Sequence, residues 1–446
     1  MAGVKIQNAS LENANKLLRV SFSDGTVGHY ASAWLRDNAP EPHTMDFGER
    51  NRARQLLMND FDPAVPRRET ATVADDGAAL RLSWPSSVEA NFPAKWLLER
   101  NFASEEFRRK RREYHEFPYV SWGQENVQSE ILDQHADWEK FMTDDGYMRD
   151  KLRRFLSYGL MILKGVPCRE NELLKLGHRV GFLTNSHYGK PDKPEVFAVL
   201  SELNPSNLMN TPKALGLHTD LPHYSDHEFS YFSVKSDVNP ANLAYTSIAL
   251  GLHTDIPQNE PAPDIQMLHF IRQAGEGGEN QFCDGFRAAE QLRKEEPDMY
   301  ELLTTVPIEY VDWGEDVYKF RMVSRRKCIE LDERGVIKAI FFNNQIRGWF
   351  YDAPVEKMHD VMVALKTFNS YCYKPQNMLE IKMKAGEMVW FANNRVMHGR
   401  SAFKLDPKAG DGGQRYLEGA YINFDVIKSR IRVVDEELGE AKHASI

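Results

Sequence analysis

Two histidines and one aspartate have the types and spacing of a metal site. The sequence His253-Thr254-Asp255 places an imidazole and a carboxylate two residues apart, and a second imidazole, His398, follows much later in the chain. Residues two apart in an extended strand point to the same face, so His253 and Asp255 can both reach one ion. Two imidazoles and a carboxylate form the facial triad of non-haem iron(II) oxygenases, which leaves positions open for reactants. We therefore expect His253, Asp255 and His398 to bind iron, with zinc as the competing metal.

Two arginines near His398 could bind an acidic co-substrate. Arg400 follows in the sequence VMHGR, and Arg415 begins the sequence RYLEGAY, which ends at Tyr421. A guanidinium group binds a carboxylate through two parallel hydrogen bonds. Arg415 could thus hold one end of 2-oxoglutarate while the other end chelates the metal, which favours iron over zinc. Arg400 is the rival for this carboxylate, although we favour a structural salt bridge for it.

The composition argues against several classes of partner. The chain has 446 residues, 42% of them hydrophobic, and its 56 Lys+Arg against 65 Asp+Glu give a net charge of −9. An acidic chain is a poor match for nucleic acid or for an anionic membrane surface. No apolar stretch of about 18 residues and no signal-peptide pattern is present. The four cysteines are widely spaced and form no CxxC pair, so we expect a soluble protein in the reducing cytoplasm.

The hydrophobic pattern predicts a mainly β protein with flanking helices. Short strands and turns in residues 1–92 indicate a small β-rich N-terminal domain, and the charged, aromatic residues 93–135 read as a connector. Residues 136–446 show many strands, with two helices expected near 285–296 and 355–371. A sheet-rich domain with helices packed outside it favours a double-stranded β-helix, or jelly roll.

A tandem duplication complicates the choice of metal ligands. Residues 197–222 (FAVLSELNPSNLMNTPKALGLHTDLP) match residues 232–257 (FSVKSDVNPANLAYTSIALGLHTDIP), and a His-Tyr pair recurs in each half of the region 187–257. His218 and Asp220 are therefore an alternative to His253 and Asp255. We favour the second copy, because choosing the first would leave a long loop between neighbouring strands.

Several of these motifs together resemble the gamma-butyrobetaine dioxygenase group. They are NLAYT with LGLHTD, MLHF with GG and DGF, VMHGR, RYLEGAY, and WLRDN near the N-terminus. The resemblance implies hydroxylation of gamma-butyrobetaine to L-carnitine with release of succinate and CO2. It also implies Fe(II), 2-oxoglutarate as co-substrate, ascorbate as reductant, and a homodimer.

The resemblance also implies a substrate site. Phe232, Tyr245 and Tyr421 occupy the motif positions of an aromatic cage for a trimethylammonium group, which cannot donate a hydrogen bond but is attracted to ring faces. Asn242 matches the position that holds the substrate carboxylate, and Asn343 is expected close by. The usual Tyr-Gly position of the cage is ambiguous between Tyr188 and Tyr224 because of the duplication.

The N-terminal domain departs from the family pattern. The positions of the family's zinc ligands hold Ala39, Glu41, Thr44 and Val88, and Ala, Thr and Val cannot replace a thiolate or an imidazole on zinc. His43 alone is insufficient. We therefore expect no structural zinc.

Three alternatives stay open. Hydroxylation of trimethyllysine or another quaternary amine is the nearest, because these substrates share the trimethylammonium group. A catalytically impaired binding protein would result if the duplication disturbs the site. A zinc-dependent hydrolase on a similar barrel is the third.

Overall fold

A computed structural model describes residues 3–39, 45–46, 53–54, 66, 71–85, 89–184, 196–201, 247–314, 319–404 and 415–439. The chain forms two compact units, and the division falls between Phe117 and Pro118. This boundary lies inside the segment 93–135 that we expected to be a connector. None of the described helices is long and apolar enough to cross a membrane.

The first unit consists of short antiparallel strands and three helices. Its three-stranded sheets alternate buried and exposed residues, and the buried faces meet in a core that includes Tyr30, Trp84 and Phe92. The charged run 108–112 lies in a helix that begins after the capping residue Ser104. The strands are Ile6–Glu12, Leu17–Phe22, Val27–Ala31, Met45–Asp46, Ala53–Arg54, Thr72–Ala74, Ala79–Ser83 and Glu89–Pro93; the helices are Ser32–Asp37, Ala94–Leu98 and Glu105–His115.

The second unit is built on two facing sheets. The major sheet has six strands, in the order Val196–Ser201, Arg415–Ile422, Ile265–Arg272, Glu387–Ala392, Leu160–Lys164 and Ala136–Asp137. The minor sheet has four, in the order Leu250–His253, Val396–Arg400, Asn280–Asp284 and Met378–Ile381. Neighbours in both sheets run antiparallel, except for the parallel pair at the Ala136–Asp137 edge.

The two sheets enclose one hydrophobic core. Phe270 and Phe391 come from the major sheet, and Phe282 and Leu379 come from the minor sheet. Strands that are distant in sequence lie next to each other in both sheets, which is the arrangement of a double-stranded β-helix. The predicted jelly roll is confirmed.

Helices cover the outer face of the major sheet. Trp390 is fully buried on this face and makes edge contacts with Phe141 and Phe155 from two of the helices. The strand Glu387–Ala392 is therefore buried on both faces, which explains its nearly continuous apolar sequence. The helices around the major sheet are Trp138–Thr143, Asp145–Tyr158, Glu172–Val180 and Phe424–Glu437.

A second core lies outside the minor sheet, and it contains one helix more than we expected from the sequence. We expected two helices here, but three are present: Gly285–Glu295, Pro297–Thr305 and Met358–Cys372. Pro297 is at the start of the additional helix, where a backbone N–H would have no partner within the helix. Proline therefore begins this helix, although in a sequence it often indicates the end of one. The remaining strands are Glu276–Gly277, Pro307–Gly314, Phe320–Lys327, Ile329–Leu331, Ile337–Ile340, Arg347–Tyr351 and Phe403–Lys404.

A buried ion pair joins the turn before the His398 strand to the minor sheet. The Arg395 side chain is 4% exposed and donates to both oxygens of Asp284, which is 0% exposed, at 3.0 and 2.8 Å. Arg395 also donates to the carbonyl oxygens of Ser157 and Val120. Asp284 accepts further from the backbone N–H of Phe286 and caps the helix that begins at Gly285. One carboxylate thus fixes a turn, a strand end and a helix.

Replacement of Asp284 by Asn should destabilise the protein. The variant leaves the Arg395 guanidinium buried without its counter-charge, which typically costs about 3 to 5 kcal/mol. Urea denaturation of the full chain, followed by tryptophan fluorescence, measures this loss. Asp352→Asn is the matched control, because Asp352 pairs with Arg325 where both side chains are more than half exposed (53% and 57%). That control should change the unfolding free energy by less than about 1 kcal/mol. Equal effects of the two variants would contradict the role of the buried pair.

Candidate metal and co-substrate site

The pairing of two strands brings the two histidines together. Leu250–His253 and Val396–Arg400 are antiparallel neighbours, and their register places His253 opposite His398. The two imidazole rings are 4.2 Å apart between centroids. Phe391 lies against the other side of His398, at 4.4 Å between ring centroids. Both histidines are buried, so their orientation is set by packing.

Asp255 reaches the histidines in a way that differs from the expected strand alternation. The strand ends at His253, and Thr254 and Asp255 lie beyond it. Asp255 Oδ1 is nevertheless 3.0 Å from His253 Nε2 and 3.6 Å from His398 Nε2. One ligand atom from each of the three residues lies within 4.8 Å of the others. The structure thus brings together the three residues predicted from the sequence.

The protonation of these groups suits a divalent cation. His253 Nδ1 donates to the carbonyl oxygen of Gly251 at 2.9 Å, which turns Nε2 toward Asp255. Burial lowers the pKa of His398 to about 3, which keeps its imidazole neutral. Burial alone would raise the pKa of Asp255, but His253, His398 and the Tyr421 hydroxyl together hold it well below its usual range.

The donor set fits iron(II). With Nδ1 donating to the Gly251 carbonyl, His253 Nε2 faces an ionised oxygen of Asp255 only 3.0 Å away. A proton or a cation between these two atoms is needed to offset the repulsion of their electron pairs. Two neutral imidazoles and one carboxylate are the ligands of the iron facial triad, so His253, Asp255 and His398 would hold the ion.

The backbone of Thr254 is held by the segment that follows the Ile337–Ile340 strand. The Thr254 N–H donates to the Phe342 carbonyl at 2.7 Å, and the Phe342 N–H donates to the Thr254 hydroxyl at 3.0 Å. Asn343 donates its amide to the Thr254 carbonyl at 3.2 Å and accepts from the Gln345 N–H. The preceding strand ends at Ile340, and Phe342 and Asn343 beyond it bond to Thr254. Both polar atoms of Asn343, a predicted substrate residue, are thus engaged with backbone.

Asn393 holds Asp255 through its backbone. The Asp255 N–H donates to Asn393 Oδ1 at 2.6 Å, and Asn393 Nδ2 donates to the Asp255 carbonyl at 2.8 Å. The same amide also donates to the Pro263 carbonyl at 3.0 Å. Asn393 lies in the turn that leads to the His398 strand, so it couples the position of Asp255 to that of His398.

Two buried arginines lie close to each other beside the core. Burial, reinforced by the charge of Arg400, lowers the pKa of Arg415 to about 9, and burial lowers that of Arg400 to about 10. Arg415 donates from Nε to Gln273 at 3.1 Å, and its guanidinium lies 5.7 Å from the ring centres of Phe270 and Phe403. Arg400 donates to the Ile248 carbonyl at 2.6 Å and lies 4.6 Å over the ring of Phe403.

Arg415 is available to an acidic ligand. Within the described parts of the chain, no carboxylate lies at ion-pair distance from its guanidinium group. A buried cation is costly unless an anion compensates it. The Gln273 contact occupies Nε, so the two terminal nitrogens can face a carboxylate. This is the arrangement expected of a residue that binds one end of a dicarboxylate.

Three buried or half-buried amide side chains near the site were not predicted from the sequence. Gln273 orients Arg415, Asn280 lies opposite Arg400 in the minor sheet, and Gln266 lies opposite Tyr421 in the major sheet. Among the residues described, neither Gln266 Oε1 nor Asn280 Oδ1 has a hydrogen-bond partner. Gln266 could have been identified from the sequence, because it is a polar residue within an otherwise apolar strand. Gln273 and Asn280 carried no local signal.

Of the predicted cage, only Tyr421 lies within the described residues. Its ring is buried in the core between the sheets, and its hydroxyl donates to Asp255 Oδ2 at 2.9 Å. Phe232 and Tyr245 of the cage lie outside the described residues, as do Asn242, Tyr188 and Tyr224. The alternative ligands His218 and Asp220 also lie outside them, as do Glu41, His43, Thr44 and Val88 of the first unit, whereas Ala39 is described and buried.

Replacement of Asn393 by Ala should weaken metal binding. Loss of a residue that orients a ligand typically lowers metal affinity 10- to 100-fold. Anaerobic equilibrium dialysis with Fe(II) measures the affinity. Asn394→Ala is the matched control, because the described residues include no hydrogen-bond partner for the Asn394 side chain. Equal affinities of the two variants would contradict the proposed coupling, provided that circular dichroism shows both to be folded.

Comparison with known proteins agrees with this geometry. Residues 226–421 match the family model described as Taurine catabolism dioxygenase TauD, TfdA family. The chain is 28% identical to the gamma-butyrobetaine dioxygenase of Homo sapiens, over 97% of this chain and 98% of that protein. It is 28% identical to the gamma-butyrobetaine dioxygenase of Pseudomonas sp. (strain AK-1), over 93% of each. It is 24% identical to the mitochondrial trimethyllysine dioxygenase of Gallus gallus, over 94% of this chain and 86% of that protein. Residues 226–421 thus resemble the TauD, TfdA family of dioxygenases, and the chain as a whole is similar to gamma-butyrobetaine dioxygenases.

Proposed function

We propose that this protein is an Fe(II)- and 2-oxoglutarate-dependent dioxygenase that hydroxylates gamma-butyrobetaine to L-carnitine. The observation that carries the proposal is the convergence of His253, Asp255 and His398 within 4.8 Å of one another. The match to gamma-butyrobetaine dioxygenases over nearly the whole chain supports the choice of substrate. In the overall reaction, one oxygen atom of O2 enters the substrate C–H bond and the other enters succinate, while 2-oxoglutarate loses CO2.

The protein's own groups prepare the site for this reaction. Iron(II) bound by His253, Asp255 and His398 would supply the oxygen-activating chemistry, with ascorbate keeping the metal reduced. His398, which burial keeps neutral, and the ionised carboxylate of Asp255 need no proton release before binding. Phe270, Phe282 and Phe391 line the core between the sheets and exclude water from its interior.

Arg415 is proposed to bind the carboxylate of 2-oxoglutarate that is distant from the metal. Gln273 holds its Nε, and the rings of Phe270 and Phe403 flank it, so the guanidinium is positioned before the ligand arrives. Arg400 contributes positive charge beside it, in agreement with the lowered pKa of Arg415. The bound carboxylate would compensate charge that burial makes costly.

The substrate site is proposed mainly from the resemblance. The rings of Phe232, Tyr245 and Tyr421 would surround the trimethylammonium group, each ring contributing roughly 0.5 to 2 kcal/mol. Asn242 would bind the substrate carboxylate. Asn343 would act beside it only indirectly, by shaping the backbone next to Asp255.

Assembly and location are also proposals. The resemblance favours a homodimer, and Trp349 and Val355 expose 84% and 73% of their surface, which suits a contact with a second copy. Sedimentation velocity would test this, and a monomer at all concentrations would refute it. Free cysteines agree with a cytoplasmic location, and the net charge of −9 argues against nucleic-acid or membrane partners.

Anaerobic reconstitution tests the proposed reaction. The full chain is loaded with Fe(II), 2-oxoglutarate and ascorbate and then exposed to oxygen, with and without gamma-butyrobetaine. Mass spectrometry quantifies succinate and carnitine, and equal amounts of both are expected. Succinate without carnitine would refute this substrate, and trimethyllysine would then be assayed in the same way. Neither product would favour an impaired binding protein, whereas hydrolysis without oxygen would favour a zinc enzyme.

Substitution of the ligands tests which copy of the duplication binds the metal. Asp255→Ala and His398→Ala should each abolish turnover, because each removes one of the three ligands. His218→Ala is the matched control and should retain most of the activity. An equal loss in the His218 variant would show that the first copy contributes to the site.

A further inference from the structure

The two oxygens of Asp255 face different partners. Oδ1 points to the imidazoles, at 3.0 Å from His253 Nε2 and 3.6 Å from His398 Nε2. Oδ2 accepts a hydrogen bond from the Tyr421 hydroxyl at 2.9 Å. A phenol donates and an ionised carboxylate can only accept, so the direction of this bond is fixed. The carboxylate therefore has one oxygen for the metal and one for Tyr421.

The side chain of Tyr421 is well placed to hold this orientation. Tyr421 belongs to the strand Arg415–Ile422, which is paired on both sides within the major sheet. Its carbonyl accepts from the Thr184 N–H at 2.8 Å, and its ring packs in the core with Ile256 and Phe391. A ring fixed in this way can restrain a carboxylate that lies beyond the end of its own strand.

We propose that Tyr421 is a positioning residue for the metal, whose hydroxyl selects the oxygen of Asp255 that faces the ion. This inference rests on the proposed function and adds to it a task for the hydroxyl. The ring and the hydroxyl then do different work: the ring faces the cationic substrate, and the hydroxyl orients a metal ligand. Without the hydroxyl, the carboxylate can rotate and present either oxygen, or both, to the ion.

Phenylalanine separates the two tasks, because Tyr421→Phe keeps the ring and removes only the hydroxyl. Tyr416→Phe is the matched control. Tyr416 lies on the same strand but on the opposite face, where it contacts Ile271 and where the charge of Glu170 acts on its hydroxyl. Both variants therefore lose one tyrosine hydroxyl near a carboxylate, and only one of these carboxylates is a metal ligand.

The test measures metal affinity without substrate and then kinetics with it. Anaerobic Fe(II) dialysis of the full chain should show a 10- to 100-fold loss of affinity in Tyr421→Phe and less than a twofold loss in Tyr416→Phe. At saturating Fe(II), the KM of Tyr421→Phe for gamma-butyrobetaine should stay within about threefold of the unmodified value, since the ring remains. Circular dichroism checks the fold of both variants.

Two results would overturn the inference: unchanged Fe(II) affinity in Tyr421→Phe, or an equal loss in both variants. Failure of the proposed function appears differently. An unmodified protein that binds Fe(II) but makes no carnitine refutes the substrate and leaves the metal comparison valid. An unmodified protein that binds no Fe(II) refutes both proposals.

Discussion

The metal site depends on how the backbone of residues 251–255 is hydrogen-bonded. Among the residues that the structure describes, this segment lies at the edge of the minor sheet, and a strand partner is present on one of its sides. On the way to Asp255, the Leu252 N–H donates to the Tyr373 hydroxyl, the Thr254 N–H to the Phe342 carbonyl, and the Asp255 N–H to Asn393. Buried N–H groups must find partners, and here groups from three separate segments provide them. Because these partners impose no straight path, the chain can leave the strand direction after His253 and turn the carboxylate toward the imidazoles.

A single turn, between the strands Glu387–Ala392 and Val396–Arg400, places two of the three ligands. Asn393 holds the backbone of Asp255, and Arg395 fixes the turn to Asp284 just before the His398 strand begins. An apolar residue could fill the space of Arg395, but it could not bond to Asp284, Ser157 and Val120 at once. The buried ion pair thus fixes the position of the turn more than it adds to net stability, because the desolvation cost of burying two charges offsets much of their attraction. A small shift of this turn would move His398 and Asp255 together and preserve their separation.

The sequence was informative where the signal was local. Strands such as Ile265–Arg272 carry apolar runs, and the HxD spacing identified His253 and Asp255 although Asp255 lies outside a strand. The residues that orient the ligands could not be found in this way. Asn393 and Asp255 are 138 residues apart, and Gln273 and Arg415 are 142 apart, so only the folded chain brings them together. Asn343 was expected near the substrate, but in the folded chain its amide donates to the Thr254 carbonyl. Which residues lie beside the end of an edge strand is a property of the sheet, and no residue type marks them.

The charges of the site connect the co-substrate to the cationic substrate. Arg400 and Arg415 are both buried, the charge of Arg400 contributes to the lowered pKa of Arg415, and Arg400 lies two residues after His398 on the same strand. A divalent ion bound by the single carboxylate of Asp255 adds a further net positive charge. The field of these positive charges repels a trimethylammonium group, since the low-dielectric interior screens little. In the proposed function, a dicarboxylate held by Arg415 and the metal would offset two positive charges at once, and the interior would then be compatible with a cation held by aromatic rings. The arginines would therefore serve the quaternary amine indirectly, through the anion that makes its approach favourable.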